Sequence, residues 1–594
     1  MNHRLFILFP ELHLSEINAL AEKYKCSEII NFTNNTREQQ YSIPTLQVHQ
    51  IENVEQIIQQ TINEYTQFVA TFSQTTLSKN KTIRHLKINK LPVYWLTPFS
   101  VKHPYNHWAY NVFLLKNYLS FHTQPNEKYF VALPNQLKYI APFINELLKI
   151  YSFEIIFSIN GKQKNYEQTI FHFFKNHLKN IWRIGQIKPN KEIENKNQTI
   201  LFLNTPQEFS YLKKVESVAQ PYFNNVGLNT VHFCYLDWIK SKTIHSGFYK
   251  AKPSFLLLLK IAYSSLCIKY KLKKFRCTIE VNKVQFNTEI ILKEIESILI
   301  EKSHYLYSYQ WLINYFKQSP QLKAVFYEDE FYIFGRIISA AKKQSAATHF
   351  TCYGIQHGMF SDFHTVYNIS DKEIKPDAQN NENGLPLPDF FITWGNYFTS
   401  HFLKHNSLPH GFVKELGNPI YLFKHSKNKY AENGHTKKSF TFLYCLTSEI
   451  LFEKELPIVN NILQKYQGAT LIIRCHPQFV FNVSAHHFHS SVSIKNSENV
   501  SLTDDFNLSD IILCSAHSTV FLDALAYNKK VIRLKTNITD SSMNYQSTDC
   551  LTLHANNEVP FLEKKQEETI AKNPFLQNET TQWTRFINEM KNHA

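Results

Sequence analysis

The chain has 594 residues, 43% hydrophobic and 14% aromatic, which excludes global disorder and leaves room for about three to five folded units. Its 13 glycines are well below average usage, and neither a G-x-G-x-x-G turn nor a Walker loop is present, so any phosphate must be held by side chains and helix N-termini. The net charge of +15 favours an anionic partner (nucleic acid, an anionic membrane surface or an anionic substrate), and a Lys-rich solvated surface explains it equally well.

Residues 5–9 predict a strand and 12–24 an amphipathic helix. The opening apolar run is too short for a signal peptide, and no later run reaches the length of a membrane span. Residues 50–75 read as helix and 76–90 as polar and Lys-rich, which places a boundary near 90. Strands are predicted at 93–96, 129–133 and 153–158, with helices over 106–121 and up to 151 between them. This β-α-β alternation implies a mostly parallel sheet. Residues 161–196 are basic and aromatic, with Ile170, Phe171, Phe174, Leu178 and Ile181 at helical spacing. A strand follows at 199–203, then an apolar-to-basic helix over 253–276, a strand at 324–327, a helix opened by Glu328-Asp329-Glu330 and a strand at 350–355. Residues 370–388 read as a linker. Strands then recur at 390–393, 413–416, 440–445, 469–474, 511–514 and 530–534, and a final helix lies near 579–592. The nine cysteines include no C-x-x-C pair and read as reduced, buried residues of a cytosolic protein, so neither disulfides nor zinc is expected.

In parallel α/β sheets ligands sit beyond the carboxyl ends of the strands, so polar residues just after strands carry the chemistry. Arg474 and His476, stopped by Pro477, can both donate to phosphate oxygens. Ser515, His517, Ser518 and Thr519 form a hydroxyl-rich turn into a helix, where Ser518 or Thr519 caps an anion-binding N-terminus and Asp523 reaches a ribose hydroxyl. Gln356, His357 and Gly358 end another strand and face donor or acceptor. Glu328, Asp329 and Glu330 are crowded carboxylates that raise one another's pKa toward that of a general base, although acidic residues in a first helical turn are also stabilising by the dipole alone. Trp394, Asn418, Thr447 and Ser448 complete the strand-end set.

Taken in order, the acidic strand end, Gln356-His357-Gly358, the Trp394-Gly395 and Gly417-Asn418-Pro419 turns, His476-Pro477 and Ser515…Ser518-Thr519 resemble bacterial surface-polysaccharide glycosyltransferases of the GT-B type, over about residues 320–535. The acidic, HP and Ser/Thr motifs are similar to those of sialyl-, polysialyl- and Kdo-type transferases, which use CMP-activated acidic sugars. The resemblance implies an α/β fold with two Rossmann-like lobes around a cleft, and an N-terminal α/β extension. The divisions are an extension over 1–90, an acceptor-side lobe over 91–375, a donor-nucleotide lobe over 376–565 and a tail over 566–594. It further implies a nucleotide-sugar donor held by Arg474, His476 and the 515–519 turn, a base among 328–330, a glycan or glycolipid acceptor, and no metal or cofactor. Phe331 stands where the family has Gly, and Asp523 where many such enzymes have Glu. CDP-glycerol polymer transferases share the HP/Ser architecture and UDP-sugar enzymes share the lobe, so both donors stay open. A non-catalytic polysaccharide-assembly factor is the competing class, and no nucleic-acid-binding motif is present. The expected setting is cytoplasmic. The basic aromatic helices at 168–184 and 253–276 could rest on an anionic inner-membrane leaflet, but the preferred reading places residues 255–259 in the core.

Overall fold

The computed structural model describes residues 3–9, 12–32, 45–47, 53–78, 81–102, 107–122, 127–158, 170–190, 199–204, 211–234, 243–328, 331–358, 364–376, 384–404, 406–420, 440–446, 449–466, 468–475, 488, 493–496, 500–516, 518–527, 529–536, 550–554 and 579–592. Its framework is three larger sheets, each parallel throughout.

The N-terminal unit comprises β1 (His3–Ile7), α1 (Leu14–Lys23), β2 (Glu28–Asn31), β3 (Thr45–Gln47), α2 (Val54–Gln74), α3 (Trp108–His122), β4 (Lys128–Leu133) and β5 (Phe153–Phe157), with strand order β3-β2-β1-β4-β5. Leu5, Phe6 and Ile7 of β1 are all buried, as a parallel strand covered on both faces requires. On α2, Ile58, Ile62, Tyr65, Val69 and Phe72 recur at helical spacing and are buried, and α2 packs on α3. Residue 90 therefore lies inside this unit, because β4 pairs with β1 and β5 with β4, and the boundary expected there is corrected. The predicted strand at 93–96 is a 3-10 turn with all four side chains buried. A short apolar run suits a buried turn as well as a strand.

The chain continues through α4 (Ile170–Gln186), β6 (Ile200–Asn204), α5 (Tyr211–Asn225), β7 (Thr230–Cys234), α6 (Phe255–Leu272), α7 (Glu289–Ile300), α8 (His304–Lys317), β8 (Ala324–Tyr327), α9 (Ile333–Ser345), β9 (Thr351–Ile355), β10 (Phe390–Thr393), α10 (Asn396–Lys404) and β11 (Val413–Glu415). The middle sheet runs β7-β6-β8-β9-β10-β11, so β10 and β11 belong here and not to a lobe beginning at 376. Helices α4, α6, α7 and α8 pack together beside it. Within that layer His177 of α4 is buried, its Nδ1 2.7 Å from the Tyr307 hydroxyl and its Nε2 2.9 Å from the Leu299 carbonyl. Burial pushes this imidazole down to about 4, against the Leu299 hydrogen bond.

A buried charged cluster ties the N-terminal unit to the middle lobe. The Lys102 Nζ lies 2.7 Å from Glu373 Oε1, both side chains fully buried. Glu373 sits in the single turn Asp371–Ile374, inside the expected linker, where its carboxylate also accepts from the Ser370 amide. The Arg84 guanidinium donates to the carbonyls of Lys372 and Lys375 and to Ser73, and lies over the Trp95 ring. Arg336 donates to Phe331, Trp95 and Ser100. Burying charges this deeply is tolerable only when each is paired or fully hydrogen-bonded.

The C-terminal lobe contains β12 (Thr441–Leu446), α11 (Glu449–Lys465), β13 (Thr470–Cys475), β14 (Ser493–Asn496), α12 (Leu502–Leu508), β15 (Ile511–Ser515), α13 (Val520–Ala526), β16 (Lys530–Lys535) and β17 (Cys550–His554), in the order β14-β13-β12-β15-β16-β17. Helix α14 (Glu579–Asn592) then returns to the middle sheet. Its Trp583, Phe586, Ile587 and Met590 are buried with Ile200, Phe202, Phe326 and Tyr353, and Trp583 Nε1 donates to the Gly417 carbonyl at 3.2 Å. The middle and C-terminal lobes are thus two Rossmann-like halves.

Candidate functional site

In the C-terminal lobe the first strand, β12, lies centrally. The next two strands in sequence extend to one side of it and the last three to the other. This is the 3-2-1-4-5-6 order whose ligand crevice opens where the direction reverses, between β12 and β15. Arg474, Cys445 and Cys514 stand in register across β13, β12 and β15 near their carboxyl ends, and Ser515 ends β15.

The side chains at this edge have definite partners. Arg474 donates to Asp505 Oδ2 at 2.6 Å and to the Val500 carbonyl at 2.9 Å, which fastens the strand end to the buried carboxylate of α12. The Cys445 thiol is pushed well up, first by burial and then by Asp505 and Asp523, with Arg474 opposing, so Asp523 lies close to the same strand ends. Ser515 is fully buried. Beside it stands Glu455 of α11, also fully buried, whose Oε2 accepts from the Tyr444 hydroxyl at 2.6 Å. Burial pushes the Glu455 carboxyl up to about 7, opposed by Ser515 and Tyr444.

The turn after β15 folds on itself. The Ser518 amide donates to the Ser515 carbonyl at 3.0 Å, and the Ser518 Oγ accepts from the Val520 amide at 3.4 Å. Of the two hydroxyls expected to cap α13, Ser518 makes this bond. Thr519, the N-cap residue itself, makes no side-chain cap bond. The turn is clamped by Arg533 of β16, a buried residue that donates to the Ala516 carbonyl through Nε at 3.0 Å and through Nη2, and lies over the Phe521 ring at 4.5 Å. Burial pushes this guanidinium down, while Tyr397 of α10 is among the groups pushing it up, so the middle lobe adjoins the turn. His476, Pro477, His517, Thr447 and Ser448 lie outside the described residues.

The middle sheet has the order 2-1-3-4-5-6, and its reversal lies between β6 and β8. Glu328 follows β8 at this point. It is buried, and its Oε2 accepts from the Leu212 amide at 3.1 Å, in the first turn of the helix that follows β6. The carboxylate thus caps α5 across the reversal. Asp329 and Glu330 lie outside the described residues. Gln356 is fully buried and bridges two strand ends, its Oε1 accepting from the Trp394 amide at 2.9 Å and its Nε2 donating to the Gly358 carbonyl at 3.0 Å. His357 and Gly358 follow it at the partly exposed rim. Trp394 is buried against Phe398. The buried Asn418 accepts from the Ile420 amide at 3.1 Å, after Gly417 takes the left-handed φ of 82°. The structure brings Glu328, Gln356, Trp394 and Asn418 to one sheet edge, mostly as internal braces.

Sequence reasoning missed Arg533, Glu455 and Asp505. The available signal was a charge inside an apolar stretch, as in Val531-Ile532-Arg533-Leu534, where burial demands a dedicated partner.

The two Rossmann-like lobes make this an α/β architecture in which ligand crevices open at the strand-order reversals. No family model and no curated protein sequence matches the chain. Among solved structures, the wall teichoic acid polymerase TagF is 11% identical, covering 72% of this chain and 93% of its own with a TM-score of 0.32. MurG of Acinetobacter baumannii is 10% identical, covering 67% and 94% with a TM-score of 0.32. UDP-GlcNAc 2-epimerase from Neisseria meningitidis is 11% identical, covering 57% and 82% with a TM-score of 0.31. The lobe assignment rests on the strand orders above.

Proposed function

We propose that the chain is a GT-B glycosyltransferase that moves a sugar from a nucleotide donor, with a CMP-activated acidic sugar favoured, to a growing surface polysaccharide or its lipid-linked precursor. The observation that carries this reading is the reversal between β12 and β15, with Ser518 and Thr519 at its mouth above the buried Ser515. In this scheme the donor phosphate rests on the 515–519 turn. His476 donates to its oxygens and Asp523 holds the ribose. Arg474 braces the strand end through Asp505, and Arg533 fixes the turn through Ala516, so the donors are aimed before the ligand arrives.

Glu328 is engaged with the Leu212 amide, which leaves Asp329 or Glu330 as the base. That base takes the acceptor hydroxyl proton as the hydroxyl oxygen bonds to the anomeric carbon. The bond to the donor phosphate breaks and its electron pair leaves with the nucleotide. Closure of the lobes excludes water. The chemistry needs no metal in this scheme.

The test is thermal unfolding of the parent, Ser518→Ala and His476→Ala with CMP, CDP, UMP, UDP and GDP. Ligand at 100 times its dissociation constant adds about 2.7 kcal/mol. Stabilisation by a cytidine nucleotide that both variants lose supports the reading. Stabilisation by UDP alone replaces the donor. No response to any of the five overturns the reading in favour of a non-catalytic polysaccharide-assembly factor.

A further inference from the structure

Among the described residues, helices α4 and α6 carry most of the exposed large hydrophobic side chains. Each buries one face in the helical layer, α4 through Phe173, His177, Ile181 and Ile184, and α6 through Leu258, Ile261, Ile268 and Leu272. Each then exposes a second apolar stripe. On α4 this is Phe171 (68% exposed), Phe174, Leu178 and Trp182 (65%) on successive turns. On α6 it is Phe255 (62%), Leu256 (78%), Leu259 and Tyr263 (68%). The expectation that residues 255–259 form core holds for Leu258 and fails for Phe255, Leu256 and Leu259. The two stripes adjoin. The helices pack on each other, and Lys252, just before α6, donates to the Gly185 carbonyl at the end of α4 at 3.2 Å. Trp182 stands three residues before Gly185, and Phe255 and Leu256 three and four residues after Lys252, so these exposed side chains lie close to that junction.

The charge carried by the two helices themselves is of one sign. Neither helix contains an aspartate or glutamate. On α4 the exposed Lys175 and Lys179 each follow a stripe residue by one position. On α6 Lys260 and Lys271 flank the apolar face, and Lys273 and Lys274 extend it, all exposed; Lys269 and Arg276 pair with Glu296 and Glu289 of α7 at 3.0 and 3.9 Å. Exposed aromatic and leucine side chains rimmed by lysines suit the interface of an anionic bilayer, where rings sink to headgroup level and lysine stems reach back to the phosphates. A second copy of the chain fits poorly, because two-fold pairing of the patch sets lysine against lysine. Among the described residues no helix is long and apolar enough to cross a membrane, so contact would be by lying on the surface.

We infer that the α4/α6 face is a docking surface for an anionic lipid bilayer, holding the protein on the membrane plane through Phe171, Trp182, Phe255 and Leu256 with the flanking lysines. This does not depend on the transferase reading and can fail while nucleotide binding survives.

The test is flotation of the full chain with phosphatidylcholine vesicles, with and without phosphatidylglycerol, at low and high salt. The expected result is co-flotation with the phosphatidylglycerol vesicles, weakened by salt. Each Lys→Gln change at 175, 179 or 260 lowers the partition coefficient about fivefold. The double variant Trp182→Ser/Leu256→Ser stays in the soluble fraction with an unchanged melting temperature, since both side chains are exposed. No co-flotation at low salt overturns the inference. So does equal binding by parent and double variant. A dimer in light scattering that the double variant abolishes, without vesicle binding, overturns it in favour of self-association.

Discussion

Glu455 offers a quantitative check on the interior beneath the crevice. Burial moves its carboxyl from the ordinary 4.5 to about 7. At roughly 1.4 kcal/mol per tenfold, that difference is worth about 3 kcal/mol. The sign follows from proton binding. Below 4.5 the folded and unfolded chains both carry the neutral acid. As pH climbs toward 7 the unfolded chain ionises first, so the stability present in acid is lost across that window and stays lost above it. Glu455→Gln removes the proton equilibrium. It keeps the shape and the contact with Tyr444, because that hydroxyl can turn from donor to acceptor. Urea unfolding of parent and variant from about pH 4.5 to pH 8 should show the variant gaining about 3 kcal/mol relative to the parent, all of it by about pH 8. Parallel stability curves would show that the carboxyl is not buried beside Ser515 in the way described.

Three further outcomes follow from other buried groups. Glu373→Ala leaves the Lys102 charge unpaired and should cost about 3–5 kcal/mol in urea unfolding, with Lys102→Met/Glu373→Leu restoring most of it. Arg533→Ala removes a charged clamp on Ala516 and the contact with Phe521, and should cost about 2–4 kcal/mol. If the 515–519 turn binds nucleotide, calorimetry should also show about tenfold weaker binding in that variant. His177, held near 4 by burial against an ordinary 6.5, contributes stability that is full above 6.5 and lost as pH falls from there toward 4, about 3 kcal/mol in all; His177→Gln should flatten that part of the pH profile.

The central strands of the C-terminal lobe were legible because they are largely buried and read as mainly apolar runs. The predictions at 440–445, 469–474, 511–514 and 530–534 fall within one residue of β12, β13, β15 and β16. Of the sheet edges, β5 and β11 were read at 153–158 and 413–416, and the other four were not. β14, β17, β7 and β3 are edge strands with mixed sequences such as Ser-Ile-Lys-Asn, which carry no apolar run to see. Lobe membership was also hidden, because it depends on which strands pair. The sequence around residue 90 is polar, yet the chain crosses it and returns to pair β4 with β1. At the site, strand-end positions were readable from pattern, but partners were not. Nothing in the sequence links Glu328 to the Leu212 amide, or Arg533 to the Ala516 carbonyl.

The return of α14 to the middle sheet has a consequence for how the protein is made. Phe223 of α5 lies against Phe202 and Phe326, and the rest of the face they form with Ile200 and Tyr353 is covered by residues 583–590, which leave the ribosome only after the whole C-terminal lobe has been synthesised. During that interval an aromatic surface stays open on a half-built domain. It invites chaperone binding or premature association, and a chain cut short before residue 579 would keep it open permanently.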